Sequence, residues 1–359
     1  MTTSQVALSI AGRPIGPGHP PYVIAELSAN HNGSIDRALE SIAAAKAAGA
    51  DAVKIQSYTA DTITIASDRP EFRIEGGLWD GRQLHDLYQE AHTPFEWHPA
   101  LFAKAREVGV TLFSTPFDFT AVDMLEGLGA PAYKIASFEL VDLPLIRRVA
   151  QTGRPMIMST GMASLEEIQE AVATARGNGC RELALLHCIS SYPAPPESAN
   201  LRTIADIADR FGVVAGLSDH TMGTVVSVAA VAQGAALIEK HFKLDAAETG
   251  PDASFSLTAD ELRRLCEDVR TAWSALGQVS YERPAAEEGS ARHRRSLYFV
   301  HDVAAGELIT PENLRSIRPG LGLAPKHYDA LLGRRAARDI ERGTPAAFEL
   351  TVPPEAPAR

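Results

Sequence analysis

The sequence predicts an α/β protein, a closed (β/α)8 TIM barrel followed by a small C-terminal domain, on three observations. Between Tyr22 and about Leu276, eight short apolar runs rich in β-branched residues alternate with alanine- and leucine-rich stretches of helical period. That span is close to the usual barrel length of about 250 residues. No GxGxxG follows the first run, so the usual mark of the alternative, a doubly wound dinucleotide fold, is missing.

In chain order the expected strands are Tyr22 to Leu27, Ala52 to Gln56, Thr111 to Ser114, Ala132 to Ala136, Pro155 to Ser159, Leu183 to Cys188, Val213 to Leu217 and Ala236 to Lys240. Asp36 to Ala48, Pro99 to Val108, Leu165 to Arg176 and Thr258 to Leu276 carry the 3.6-residue apolar period of helices. The segment from Thr59 to Pro99 is too long for an ordinary βα loop, and long insertions at that end of a barrel serve as substrate lids or as plain surface excursions. The pattern breaks at Tyr281 to Ser290, which is polar and helix-poor. The expected organisation is therefore a barrel domain over 1–280, a linker over 281–291 and a C-terminal domain over 292–359 with short strands, little core of its own and something larger to lean on.

Composition narrows the function classes. Of 359 residues, 45% are apolar and 22% charged, which is ordinary globular composition. The 34 Lys and Arg against 45 Asp and Glu leave a formal charge of −11, which argues against nucleic acid or an anionic membrane as partner. An anionic substrate must then meet a local basic site. Cys180, Cys188 and Cys266 are too scattered for a disulfide framework or a CxxC metal site. Met1 to Pro21 lacks a basic segment followed by an apolar core, and no run of about 18 apolar residues occurs. A cytoplasmic location is expected.

In such a barrel the ligand site lies at the carboxyl ends of the strands. His220 and His241 close successive strands, one strand-plus-helix unit apart, so both imidazoles reach the same rim and could together hold a divalent transition metal. Glu26, Lys54, Thr115, Lys134, Ser137, Glu139, Ser159, Thr160, Ser190 and Ser218 also fall at strand ends. Lys54 and Lys134 interrupt apolar runs, where an inward charge needs an anionic partner. With the hydroxyls they suit a small, phosphorylated, carbonyl-containing substrate. Glu26 can bind a hydroxyl, move a proton, or simply pair with a rim lysine. His31 reads as a third metal ligand or, preferably, a turn residue. Asp252 reads as a holder of metal-bound water or substrate, or as the last member of a Gly-Pro-Asp turn.

Five motifs occur in one order: Ile24-Ala-Glu-Leu-Ser-Ala-Asn-His-Asn-Gly33, Ala132-Tyr-Lys-Ile-Ala-Ser137, Ser159-Thr-Gly-Met162, Gly216-Leu-Ser-Asp-His220 and Glu239-Lys-His-Phe242. Together they resemble the sialic acid synthases from about residue 20 to residue 350. Gly76-Gly-Leu-Trp-Asp-Gly81, Leu87-Tyr88, Thr93-Pro-Phe-Glu-Trp97 and Lys134-Ile-Ala-Ser-Phe-Glu139 are similar to the pseudaminic branch of that family. His187-Cys-Ile-Ser-Ser-Tyr192 mixes branches, since its histidine resembles the neuraminate branch and Ser190 replaces that branch's asparagine.

The resemblance implies condensation of phosphoenolpyruvate with an open-chain amino sugar, giving a nine-carbon 2-keto acid and phosphate. For the pseudaminic branch the sugar is 2,4-diacetamido-2,4,6-trideoxy-altropyranose. It implies phosphoenolpyruvate on Lys54, Thr115, Lys134, Ser137, Ser159, Ser190 and Ser218, with Mn2+ or Mg2+ on His220 and His241. Glu26 and Asp252 then fall where the family contacts the sugar or metal-bound water, Glu139 where protons move, and Asn30 and Tyr192 beside the sugar. The segment from Arg294 to Gly333 resembles the antifreeze-like (SAF) domain of these enzymes. Arg318 matches an arginine that reaches the sugar's N-acyl group from a partner chain, which implies a homodimer with swapped C-terminal domains. Three other readings stay open: an N-acetylneuraminate or legionaminate synthase, an aldolase with a Schiff base on Lys134 or Lys240, and a non-catalytic sugar- or anion-binding protein.

Overall fold

A computed structural model describes residues 7–353, so the outermost residues of both expected domains lie outside the description. The chain divides into two compact units, Met1–Gly277 and Gln278–Arg359.

The first unit opens with a hairpin, β1 (Leu8–Ile10) and β2 (Arg13–Ile15), turned at Ala11 and Gly12, both at positive φ. Eight parallel strands then close into a barrel: β3 (Tyr22–Glu26), β4 (Ala52–Ser57), β5 (Thr111–Pro116), β6 (Tyr133–Ile135), β7 (Met156–Ser159), β8 (Leu183–Cys188), β9 (Val214–Asp219) and β10 (Leu237–His241), with β10 paired to both β9 and β3. All eight expected runs are present, within two residues at either end. The hairpin was not expected. Its three-residue strands are too short to show an alternation.

Side chains of successive strand residues point alternately into the barrel and out to the helices. Tyr22, Ile24, Ala52, Phe113, Ile157, Ala184, Leu186, Val214 and Leu237 form the lower interior layers, joined by Leu8, Ile10 and Ile15 of the hairpin. The Ser9 amide donates to Glu182 just before β8, which fixes the hairpin across the amino-terminal end of the barrel. Val23, Ala25, Val53, Ile55, Leu185 and Leu217 face outward and make the larger core against the helices.

The helices begin where their caps place them. In α1 (Ile35–Ala47) the Ser34 hydroxyl accepts from the Arg37 amide. The Thr59–Pro99 insertion carries α2 (Ala60–Ile63) and α3 (Leu84–Ala91) before α4 (His98–Val108). Left-handed glycines, Gly109 and Gly129, end α4 and α5 (Phe119–Leu128). After α6 (Leu143–Ala150), Ser164 and Glu167 form a capping box for α7 (Leu165–Gly177). The layer is completed by α8 (Thr203–Phe211), α9 (Val225–Ala232) and α10 (Ala259–Leu276), the last capped by Thr258 and Glu261.

The second unit differs from expectation in two ways. Its lead segment is not helix-poor throughout, because Glu288–Ala291 closes one exposed helical turn, α11. The module also has a core of its own: Leu297, Phe299, Val303, Ile309, Leu314, Leu331, Ala336, Ile340, Ala346 and Leu350 pack together beneath β11 (Ser296–Phe299) and β12 (Leu314–Ile317). Those apolar residues are spread over more than 50 positions between turns, so no single window of sequence displays the core.

Ile10 is fully buried in the interior cluster, remote from the strand exits. Ile10→Ala should cost about 2–5 kcal/mol in urea unfolding and leave the rim chemistry of the folded protein unchanged; a loss below about 0.5 kcal/mol would mean the hairpin does not close the barrel floor.

Candidate active site

The upper interior layer is charged. On β4, Lys54 is two residues beyond Ala52 and therefore inward; its ammonium lies 2.6 Å from Glu26 on β3, 3.9 Å from Glu239 on β10 and 3.2 Å from the Thr115 hydroxyl on β5. Lys134 on β6 reaches Glu239 at 3.7 Å and donates to the Ile135 carbonyl at 3.3 Å. The register explains the grouping, since Glu26 is the strand partner of both Lys54 and His241. All four charged side chains are at most 7% exposed.

Burial and pairing set their protonation. Burial pushes the Glu239 carboxyl up, but Lys134, Lys54 and the Ser218 hydroxyl at 3.0 Å outweigh it and hold it below the usual carboxylate range. For Glu26 burial wins over Lys54, and its pKa is raised. Burial lowers Lys134, while Glu239 and Glu26 hold Lys54 up against the same penalty. Glu239 is the member that sequence reasoning missed as a site residue. Its signal was parity with His241, two residues on.

Hydroxyls surround the lysines. Ser159 is 2% exposed and its Oγ has no hydrogen-bond partner. Ser137 accepts from the Gly161 amide at 3.1 Å. A Cβ on Gly161 would stand 2.2 Å from the Ser190 hydroxyl and 2.8 Å from that of Ser137, so glycine is what lets these two serines converge. Thr160 turns its hydroxyl to the Leu186 carbonyl at 3.3 Å, back into the barrel wall.

The two histidines meet as the strand spacing predicts, with ring centroids 5.4 Å apart. His220 Nδ1 lies 2.9 Å from the Ile189 carbonyl, so it carries the proton and Nε2 keeps its lone pair. Burial lowers the His220 pKa, but Cys188 at 3.8 Å, whose own ionisation this ring favours, and the Ile189 carbonyl more than offset it. His241 is driven well below its ordinary value by burial and by His220, and its buried Nδ1 has no partner. A neutral imidazole with an orphaned nitrogen beside a second imidazole fits a divalent cation. Among the described residues no third His, Cys, Asp or Glu joins them, which leaves any remaining positions to water or substrate oxygens.

Around this pair stand Tyr192, whose ring centroid is 4.3 Å from His220, and Phe255, 4.9 Å from His241. Trp79 of the insertion lies 5.6 Å from Tyr192 and donates its indole N–H to the Pro251 carbonyl at 3.1 Å, so the insertion does reach the rim. Asp252 accepts from Ser28 at 2.5 Å and from the Ala29 amide at 3.4 Å; burial raises its pKa against those bonds. Gln56, also missed, bridges Glu26 and Ser28 at 3.0 Å each. The Asn30 amide is spent on the Phe242 carbonyl at 2.7 Å and Ser256 at 2.8 Å, leaving only Oδ1 unpartnered. His31 is a turn residue: its Nδ1 accepts from the Gly33 amide at 3.1 Å. Lys240 lies on the outer face of β10 in an ion pair with Asp219 at 2.9 Å and is not in the mouth. Arg318 belongs to the second unit, exposed just beyond β12.

Glu139 follows β6 in a short 3-10 turn. Burial pushes its carboxyl up to about 7, against its own backbone amide and Lys134, and its Oε2 has no partner. Such a carboxyl changes charge near neutrality. Because the folded value is raised, the stabilisation it contributes is present below the ordinary carboxyl range and lost as pH rises through about 7. Glu139→Gln, which does not titrate, should gain on the parent by on the order of 2–3 kcal/mol between pH 5 and 8.5 in urea unfolding; a difference that does not move with pH would place the ionised carboxylate in a solvated setting.

Residues 41–281 match the model of the NeuB family, and residues 294–349 that of the SAF domain. The pseudaminic acid synthase of Campylobacter jejuni (strain 81-176) is 45% identical over 90% of this chain and 94% of its own length. That of Helicobacter pylori is 42% identical over 92% and 97%. The crystal structure of a spore coat polysaccharide biosynthesis protein from Bacillus subtilis covers 97% of this chain and 99% of its own, at 35% identity and a TM-score of 0.66.

Proposed function

The chain belongs to the NeuB family, that of the sialic acid synthases, and from that premise we propose that it condenses phosphoenolpyruvate with 2,4-diacetamido-2,4,6-trideoxy-altropyranose to give pseudaminic acid and phosphate. The observation that carries the reading is one barrel mouth holding a lysine pair with unpartnered or converging serine hydroxyls on one side and a histidine pair on the other. The choice of sugar rests on the likeness to the two pseudaminic acid synthases above.

In this reading Lys54 and Lys134 take the donor's phosphate and carboxylate, with Thr115, Ser137, Ser159, Ser190 and Ser218 supplying neutral donors. The Ser159 hydroxyl, already desolvated and unbonded, loses nothing on binding. His220 and His241 hold Mn2+ or Mg2+, which when bound polarises the sugar aldehyde as a Lewis acid. The C3 of the enol attacks the aldehyde carbon, water adds at C2, and the C2–O bond to phosphate breaks. Glu139, its carboxyl pushed up to about 7, takes the proton from that water in this reading. Glu26, with Gln56 and Ser28 beside it, and Asp252 orient sugar hydroxyls; Tyr192 and Trp79 cover the histidines and exclude bulk water.

The same reading makes the enzyme a homodimer in which Arg318 serves the partner's mouth. Supporting it, Phe138, Val141, Met162 and Met222 in the loops after β6, β7 and β9, and Val225 at the start of α9, are 57–79% exposed, apolar side chains suited to cover by a second copy. Among the described residues no helix is long and apolar enough to cross a membrane, and a cytoplasmic biosynthetic enzyme is the proposed setting.

Purified protein supplied with phosphoenolpyruvate, metal and each of the three nonulosonate precursor sugars in turn should release phosphate fastest with the diacetamido-altrose, with product mass confirming it. Equal rates with N-acetylmannosamine would reject the choice of sugar, and ligand binding without phosphate release would reject the enzyme. For the dimer, Arg318→Ala and His220→Ala proteins should each be nearly inactive and their mixture should regain activity at one composite site; absence of recovery with exchange of subunits verified would leave Arg318 without a role in the partner's site.

A further inference from the structure

The two strands that lead into His220 and His241 carry a second charged pair on their opposite face. We propose that Asp219 and Lys240 are positioning residues that set the separation and tilt of His220 and His241, so that the two imidazoles act as one cation site. The inference rests on the metal reading above.

Lys240 and Asp219 are direct partners in the β9–β10 register, one step beyond Glu239 and Ser218, and they are the last pair in that ladder. His220 and His241 both lie past it. Between these two strands, main-chain pairing therefore stops just short of the residues whose spacing matters most. The side chains supply the missing tie: Lys240 donates to Asp219 at 2.9 Å and also to the Thr221 carbonyl.

Asp219 is fully used. Its Oδ1 accepts from the Thr221 amide at 2.9 Å and the Thr221 hydroxyl at 2.8 Å, while Oδ2 accepts from Lys240 and, at 2.5 Å, from Ser227 on α9. His220 is thus held between two clamped residues, Asp219 and Thr221, and His241 directly follows the third, Lys240. None of these bonds faces the mouth. The clamp acts on the backbone from behind and leaves both rings free.

A device of this kind is costly as a source of stability. The two side chains are 0% and 1% exposed, and apolar residues of similar volume commonly replace such a pair without loss. What apolar residues cannot do is fix a turn by four directed bonds to one carboxylate. The need is acute here because no third protein donor among the described residues can absorb an error in the position of either imidazole.

The test uses full-length protein and Mn2+ alone as probe, with free Mn2+ read by its electron paramagnetic resonance signal. The double variant Asp219→Asn with Lys240→Met keeps volume and leaves no lone buried charge, and Ser227→Ala removes one bond only. The double variant should bind Mn2+ about tenfold more weakly, as removal of residues supporting metal ligands typically does, and Ser227→Ala two- to threefold more weakly. Both should retain the parent's KM for phosphoenolpyruvate, and raised Mn2+ should restore much of kcat. Mn2+ affinity equal to the parent's in the folded double variant, or in Ser227→Ala if the double variant does not fold, overturns the proposal. Parent protein that turns over without binding Mn2+ overturns the metal reading and this inference with it. Affinity lost in His220→Ala but kept in the clamp variants overturns the inference alone.

Discussion

The ion pair between Lys54 and Glu26 is the constraint on which the mouth is organised. A buried ammonium is tolerable only where an opposite charge meets it, and the barrel order supplies two from the same side, Glu26 on the adjacent β3 and Glu239 on β10 beyond it. Glu239 then reaches onward to Lys134, so two cations and two carboxylates close a neutral set beneath the histidines. Neutrality has a consequence for the proposed reaction. A trianionic donor entering this set would bring charge that the lysines, already paired, only partly meet, and a divalent cation on His220 and His241 would supply most of the rest. In the proposed reaction donor and metal would then lie side by side for an electrostatic reason, with the chain's overall excess of acid offering no help from outside.

The period of two along each strand does the sorting. On β10, Glu239 and His241 point into the mouth and Lys240 points to the helices; on β9, Ser218 points in and Asp219 out. Three consecutive polar residues, Glu239, Lys240 and His241, therefore serve two different networks that share only backbone. This separates Lys240 from lysine chemistry in the mouth, leaving Lys134 as the inward lysine whose charge burial disfavours. It also gives the wall between barrel and helices a polar layer of its own, where an apolar one would ordinarily stand.

Legibility in the sequence follows the same physics. Lys54 and Lys134 were visible because each breaks an otherwise apolar strand, and the histidines because they close strands at matching places. Glu239 was not, because beside Lys240 and His241 it reads as the polar exit of a strand until register assigns faces. The hairpin at the barrel floor was hidden by strands of three residues, and the core of the second unit by its dispersal between turns. Arg318 has the appearance of any exposed arginine before a Pro-Gly turn. Its proposed role depends on a second chain, and nothing in its neighbours within the same chain encodes that.

The insertion between β4 and α4 shows how a weakly held segment can serve a rigid site. Its helices α2 and α3 are short, about half of its residues are exposed, and Gly76 and Gly77 both adopt positive φ before Trp79. Segments with so few buried apolar contacts belong to the low-stability end of a fold. Trp79 is its tie to the mouth, fastened by its indole N–H to Pro251 and by its ring against Tyr192, which itself packs on His220. One side chain thus joins the insertion to the aromatic cover over the histidines. Since the Pro251 carbonyl is adjacent to Asp252, whose carboxylate ties back to Ser28, any ligand that moves Asp252 acts on the same turn that holds Trp79. In the proposed reaction, a sugar that contacts Asp252 would therefore act on the turn that fastens the insertion, and selection among sugars would draw on Trp79 as well as on the charged layer beneath it.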